Sequence, residues 1–214
     1  MYKYLLVLSA LIMAAPTWAD FTTNMGSATR YMFRGVKQSD ADIVVSAGAD
    51  YQAPFGLYAG AWGYTGAIED LDTSEVNAYA GAAYSLAGVS FGLGVIQYER
   101  GADSKESLGG PGTSNTEYNF NIAWDAYRFS AYEDEETKAR YHEVAANYSF
   151  WGDSGMTFTA GMTQPDGESS DETWNYGIGF VKAMPSNVDF EVLVTRQDEK
   201  GNSLILGISR QFDW

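Results

Sequence analysis

Twelve segments of this chain alternate apolar and polar residues with a period of two, and that repetition restricts the fold more than any other feature. Successive side chains of a strand point to opposite faces, so each segment reads as a strand with one apolar and one polar side. The last segment is representative. Leu204, Leu206, Ile208, Phe212 and Trp214 fall on one side, with Ile205, Gly207, Ser209, Gln211 and Asp213 between them. It ends on an aromatic with no polar tail beyond it, as a barrel strand does when its lipid-facing band closes in an interfacial girdle. Arg210 breaks the apolar side four residues from the end, close enough to snorkel to headgroups.

The cleanest alternation sets Tyr118, Phe120, Ile122 and Trp124 against Glu117, Asn119 and Asn121. The first segment, residues 21–33, places Phe21, Thr23, Met25, Tyr31 and Phe33 on one face, and Asn24, Gly26, Arg30 and Arg34 on the other. Residues 57–65 leave the choice open, because Leu57, Ala59 and Ala61 oppose Tyr58, Trp62 and Tyr64. The connections sort as well. After even-numbered segments they are brief, as at 52–56, 87–88, 125–126, 151–155 and 183–187. After odd-numbered segments most are longer and acidic, as at 99–116, 133–140 and 164–173. Short turns at one end and long loops at the other are how outer-membrane barrels are built, and an even strand number returns both termini to the periplasmic side.

Composition narrows the class further. Lys3, the apolar run 5–15 and Thr17-Trp18-Ala19 have the form of a cleavable secretory signal, so residues 1–19 are set apart and the barrel occupies 20–214. No segment reaches the roughly 20 apolar residues of a spanning helix. Mean hydropathy is −0.24, as expected when half of every strand faces a polar lumen. There are no cysteines, which removes disulfides, thiolate chemistry and Cys-based metal sites. The formal charge is −15, or −16 without Lys3, and excludes the basic patch that nucleic acid requires.

The stretch 29–40 (TRYMFRGVKQSD), followed by 44–64 (VVSAGADYQAPFGLYAGAWGY), resembles the TorF-type outer-membrane porins. The pattern is an aromatic-x-Arg-Gly ending on an early strand, a Ser-Asp pair, then a Gly-aromatic-Tyr-x-Gly-x-Trp strand. Here Phe33, Arg34, Gly35, Ser39, Asp40, Gly56, Tyr58, Gly60 and Trp62 match it, and Leu57 replaces the usual aromatic. The match covers about the first quarter of the chain. It implies an outer-membrane barrel that acts as a channel, with undefined solutes.

Candidate chemistry is sparse. His142 falls on the apolar side with no serine beside it on that face, so the nucleophilic triad of a lipid-acting barrel enzyme is not assembled. The acidic runs 133–136 and 166–172 lack the spaced ligands and closing Glu of a calcium loop and read as solvated, repelling segments. Arg30 and Arg34 stand four apart on the polar face, either bracing the wall against Asp42, Glu75 or Asp213 or touching solute.

The chain is therefore expected to be an all-β, transmembrane, antiparallel up-and-down barrel of about twelve strands with both termini periplasmic. The expected function is a non-enzymatic porin-like channel for small hydrophilic solutes or ions, without cofactor or metal. The alternatives are a structural or binding barrel with a plugged lumen, favoured if Trp62, Tyr64, Tyr79 and Tyr132 face inward, and a lipid-acting enzyme. Its partners would be outer-membrane lipid and the barrel-assembly machinery. Pore-lining candidates are Arg30, Arg34, Asp42, Glu75, Glu117, Arg128, Glu143 and Glu191, with Asp50 and Asp189 adding charge; that excess of carboxylates predicts cation preference. Phe212 and Trp214 form the expected C-terminal assembly signal, and the loop 99–116 is expected to fold over the mouth.

Overall fold

The computed structural model describes residues 19–38, 43–65, 74–100, 114–151, 153–165, 172–198 and 201–214. Twelve strands close into one antiparallel barrel. They are β1 (Asp20–Ala28), β4 (Val44–Gln52), β5 (Leu57–Thr65), β6 (Ser74–Leu86), β7 (Val89–Arg100), β8 (Ser114–Trp124), β9 (Tyr127–Asp134), β10 (Arg140–Phe150), β11 (Ser154–Gln164), β12 (Thr173–Met184), β13 (Val188–Gln197) and β14 (Gly201–Asp213). Two short strands, β2 (Met32–Phe33) and β3 (Val36–Lys37), form a separate hairpin. Each wall strand pairs with the next in the chain, and β1 closes against β14 with Met25 opposite Arg210 and Ala28 opposite Gly207. Trp214 extends that seam by donating its N–H to the Phe21 carbonyl at 3.1 Å. A closed barrel has no free edge, so its backbone polar groups are satisfied internally, which is the condition for crossing hydrocarbon. No helix among the described residues is long and apolar enough to do so.

The two faces are inverted relative to a soluble protein. Met25, Leu57, Val76, Leu93, Phe120, Val144 and Leu206 are exposed on the outside, whereas Glu75, Asn77, Asn119, Asn121, Ser130, Asn175 and Thr195 are buried inside. Large apolar side chains in an unbroken exposed band are what a lipid-embedded surface requires. The ambiguity at β5 resolves the same way: Leu57, Ala59 and Ala61 face out, and Tyr58, Trp62 and Tyr64 face in.

The connections at the end that carries both strand termini are short, and they use left-handed residues. Ala87 and Gly88 have φ of 52° and 82°, the two-residue turn that matches strand twist, and Asp125, Asp153, Ser186 and Asn187 also have positive φ. At the opposite end the connections are longer, apart from 198–200 between β13 and β14. The loop expected to cover the mouth falls outside the described residues at 101–113, while Glu99 and Arg100 complete β7 and residues 114–116 open β8. The leader expected at residues 1–19 also lies, apart from Ala19, outside the described residues.

One element departs from the sequence reading. β1 ends at Ala28 instead of continuing to Phe33, so Arg30 and Arg34 are not successive wall residues. Thr29 still donates its N–H to the Leu206 carbonyl of β14 at 2.9 Å, and then the chain turns into the lumen. There the β2–β3 hairpin is closed by the Gln38 N–H donating to the Tyr31 carbonyl at 3.0 Å. Its tip is Arg34-Gly35, with φ of 50° and 79°. The alternation deceives because it runs unbroken through β2: Tyr31 and Phe33 keep the parity of Phe21 and Met25 but are buried inside instead of facing lipid.

Candidate lumen site

The hairpin reaches much of the inner circumference, which fixes it inside the barrel. Tyr31 packs on Tyr64 of β5 with ring centroids 4.0 Å apart, and Phe33 meets Tyr98 of β7 edge-on at 5.9 Å. Gly35 lies against Asn175 of β12 and Gln197 of β13, so closely that a Cβ there would approach the Asn175 Cβ to 2.8 Å. Every one of these wall residues lies within three positions of the long-loop end of its strand, so the hairpin occupies that mouth.

Arg34 at the tip is the centre of the arrangement. Its Nη1 and Nη2 donate to Oε1 and Oε2 of Glu117, each at 2.8 Å. Its guanidinium carbon stands 4.3 Å from the Tyr141 ring centroid, 4.7 Å from that of Tyr132 and 4.5 Å from that of Phe33. A left-handed conformation costs a non-glycine residue roughly 1–2 kcal/mol, and this bidentate, aromatic-flanked pair offsets it. Burial disfavours the Arg34 charge, but Glu117 outweighs that and holds the guanidinium above its ordinary value. Glu117 is only 1% exposed and also accepts a hydrogen bond from the Tyr98 hydroxyl at 2.9 Å.

Two further networks surround this pair. Arg100 donates through Nε to Glu75 at 2.9 Å and through Nη1 to Asn115, whose amide donates in turn to Asp134. Asp134 then accepts from the N–H and hydroxyl of Thr137, tying β6 through β9 to one loop. On the other side Tyr141 donates to Glu143 at 3.0 Å, and Glu143 accepts from Arg128 at 2.8 Å. Inward aromatics press against glycines of neighbouring strands, Tyr79 against Gly60 and Tyr141 against Gly161, where a Cβ would collide with the tyrosine.

The sequence candidates are thus distributed as follows. Glu75, Glu117, Arg128, Glu143 and Glu191 stand on the inner wall, and Arg34 joins Glu117 from the hairpin. Arg30 lies between β1 and the hairpin with its Nε unpartnered, and Asp42 lies outside the described residues. Asp50 accepts from Tyr79 and Asn24, while Asp189 and Glu191 stand two apart on β13 near the short-turn end. Arg100 and its network were missed because 99–116 reads as loop; continuing the parity of Ser90, Gly92 and Gly94 through the end of β7 would have found it. Phe212 lies beneath the Arg210 guanidinium at 4.7 Å on the outside, and the Trp214 indole donates to the Thr23 hydroxyl at 3.1 Å. His142 faces out, stacked on Phe129 at 6.2 Å. Among the described residues no group of three or more His, Asp or Glu is placed to hold a metal ion.

Residues 14–203 match a family described as a bacterial protein of unknown function, Gcw_chp. The chain belongs to the Gcw_chp family. No curated protein matches it in sequence. This Gcw_chp barrel is similar in structure to a KdgM porin, with a TM-score of 0.63 at 9% identity over 89% of this chain and 99% of that one. It is similar to KdgM porin in complex with disordered oligogalacturonate, with a TM-score of 0.57 at 8% identity over 90% and 99%. It also resembles the COG4313 outer membrane channel from Pseudomonas putida F1, with a TM-score of 0.51 at 12% identity over 97% and 100%. At such identities the likeness is one of fold, and it supports the porin-like architecture without selecting the TorF type in particular.

Proposed function

We propose that this Gcw_chp barrel is a porin-like channel of the bacterial outer membrane, passive, non-enzymatic and biased toward cations, for small hydrophilic solutes or ions. The observation that carries the reading is the inverted barrel, apolar outside and polar inside, with a hairpin narrowing one mouth. The leader-like residues 1–19, delivery by the barrel-assembly machinery and surrounding outer-membrane lipid belong to the same reading, with the short-turn end periplasmic.

The charge bias rests on fewer groups than the sequence suggests. Arg34, Arg100 and Arg128 are ion-paired to Glu117, Glu75 and Glu143, so those three pairs cancel. Asp50, Asp189 and Glu191 face the lumen and form no ion pair among the described residues. Fixed charges lining a narrow pore set its selectivity because the low-dielectric wall focuses their field, so these three carboxylates, set against Arg30 beside the hairpin, leave a net negative lining that favours cations. Oligogalacturonate, the polyanion of the KdgM complex, is for the same reason not carried over.

The plugged-lumen alternative draws on two observations: Trp62, Tyr64, Tyr79 and Tyr132 all face inward, and Tyr98 and Glu117, beneath the hairpin, are each only 1% exposed. Recording from purified protein in a planar bilayer separates the two. Unitary current steps are expected of the channel, and silent insertion would favour the plug.

A further inference from the structure

The guanidinium of Arg34 rests in a receptor built by other parts of the chain. Glu117 comes from β8, Tyr98 from β7, Tyr132 from β9 and Tyr141 from β10, and all four belong to the barrel wall. Contacts within the wall hold Tyr98, Glu117 and Tyr141, although Tyr98 also packs against Phe33 of the hairpin. Tyr98 donates to Glu117, Tyr141 donates to Glu143, and the Tyr141 ring lies against Gly161. Arg34 instead rides on a hairpin whose two strands pair with each other and, among the described residues, with no wall strand. Receptor and occupant are therefore separable.

The receptor's chemistry selects what it holds. A carboxylate with both oxygens turned to one planar fork, between two aromatic faces, fits a guanidinium in shape, charge and stacking. A compact ammonium cannot bridge both oxygens in the same plane, and an anion is repelled. With Arg34 in place Glu117 is only 1% exposed, and an unpaired charge at such a site is strongly unfavourable.

We propose that Glu117, Tyr98, Tyr132 and Tyr141 form a binding site for organic cations bearing a guanidinium or amidinium group, with Arg34 as its tethered resident, which such solutes displace on passing through the lumen. The passage half rests on the channel reading, and the binding half does not. Tethering gives Arg34 an effective concentration on the order of millimolar, so free cations displace it only above that concentration and bind well below it once Arg34 is removed.

The test uses the full-length protein in detergent, with methylguanidinium as the probe. Thermal unfolding of Arg34→Ala should shift upward by roughly 2–4 °C at a few times the dissociation constant. Wild type, and Arg34→Ala combined with Glu117→Gln, should not move beyond an equal concentration of sodium chloride. If Arg34→Ala does not fold, Arg34→Gly replaces it, since glycine accepts the left-handed φ of 50° at that position and leaves the site empty for the same probe. No shift beyond the salt control in the folded variant overturns the site. In a bilayer, methylguanidinium should block current through that variant and leave the Glu117→Gln combination unblocked. A thermal shift without block refutes the passage half alone, whereas absence of any current refutes the channel reading and leaves the binding site standing.

Discussion

Neutralising one side of the Arg34–Glu117 pair should release the hairpin, and neutralising both should return much of it. In Arg34→Met, Glu117 keeps only the Tyr98 hydroxyl, losing two bonds of 2.8 Å at a carboxylate that is 1% exposed. Removing one member of a buried pair costs about 3–5 kcal/mol, and the remaining Tyr98 bond places this site at the lower end. In Glu117→Gln the loss is mirrored, because an amide offers one acceptor to a fork that needs two. At 1.4 kcal/mol per tenfold, about 3 kcal/mol moves the docked-to-undocked ratio by roughly two orders of magnitude. Because the hairpin is separate from the wall, the loss appears as undocking before the barrel unfolds. The double variant carries no unpaired charge, and Met fills the space among Phe33, Tyr132 and Tyr141, so most of the loss should be recovered.

The chain contains no cysteine, so one introduced thiol reports docking without background. Gln38, next to the hairpin and 2% exposed, is a suitable place. Carried in every variant, Gln38→Cys cancels its own cost, and its modification rate follows the undocked fraction. Each single substitution should accelerate modification about 100-fold, with the double variant within about tenfold of the parent. Singles that react at the parental rate, or effects that simply add in the double, would refute a latch made by this pair.

Other consequences follow from the wall. Gly161→Val should lower the temperature at which the unheated protein loses its altered gel mobility, because Tyr141 must leave its place; the expected cost is roughly 1–3 kcal/mol. Leu206→Arg, on the exposed side of β14 near its centre, should destabilise the barrel in lipid vesicles by about 2–4 kcal/mol, whereas Arg210→Leu near the strand end should change stability by no more than about 1 kcal/mol. Deleting Trp214 removes its bonds to Phe21 and Thr23 and should reduce the folded protein recovered in membranes, read by quantitative blotting.

The strand pattern was legible because a barrel wall imposes one rule on every strand, with lipid on one side and polar lumen on the other. Leu204 to Ile208 and Tyr118 to Trp124 display it with hardly an exception, and the sorting of connection lengths follows from the same topology. The rule fails where both faces meet protein. Tyr31 and Phe33 obey the alternation yet pack on Tyr64 and Tyr98, since an inward hairpin is also made of strands and the period cannot tell wall from plug. β5 was undecidable for a related reason: Trp62 and Tyr64 are apolar enough for lipid but serve as the hairpin's bed. The partner of Arg34 lay beyond sequence reasoning, because Glu117 is 83 residues away and parity alone cannot rank it above Glu75. Arg34-Gly35 was the available hint, a residue followed by glycine where a two-residue turn would fit.

The reversal potential across a tenfold KCl gradient tests the central claim, a conducting lumen whose sign is set by Asp50, Asp189 and Glu191. A cation-selective value is predicted for the wild-type protein, falling toward zero in Asp189→Asn combined with Glu191→Gln. An anion-selective value, or a cation-selective one that the double substitution leaves unchanged, would contradict it.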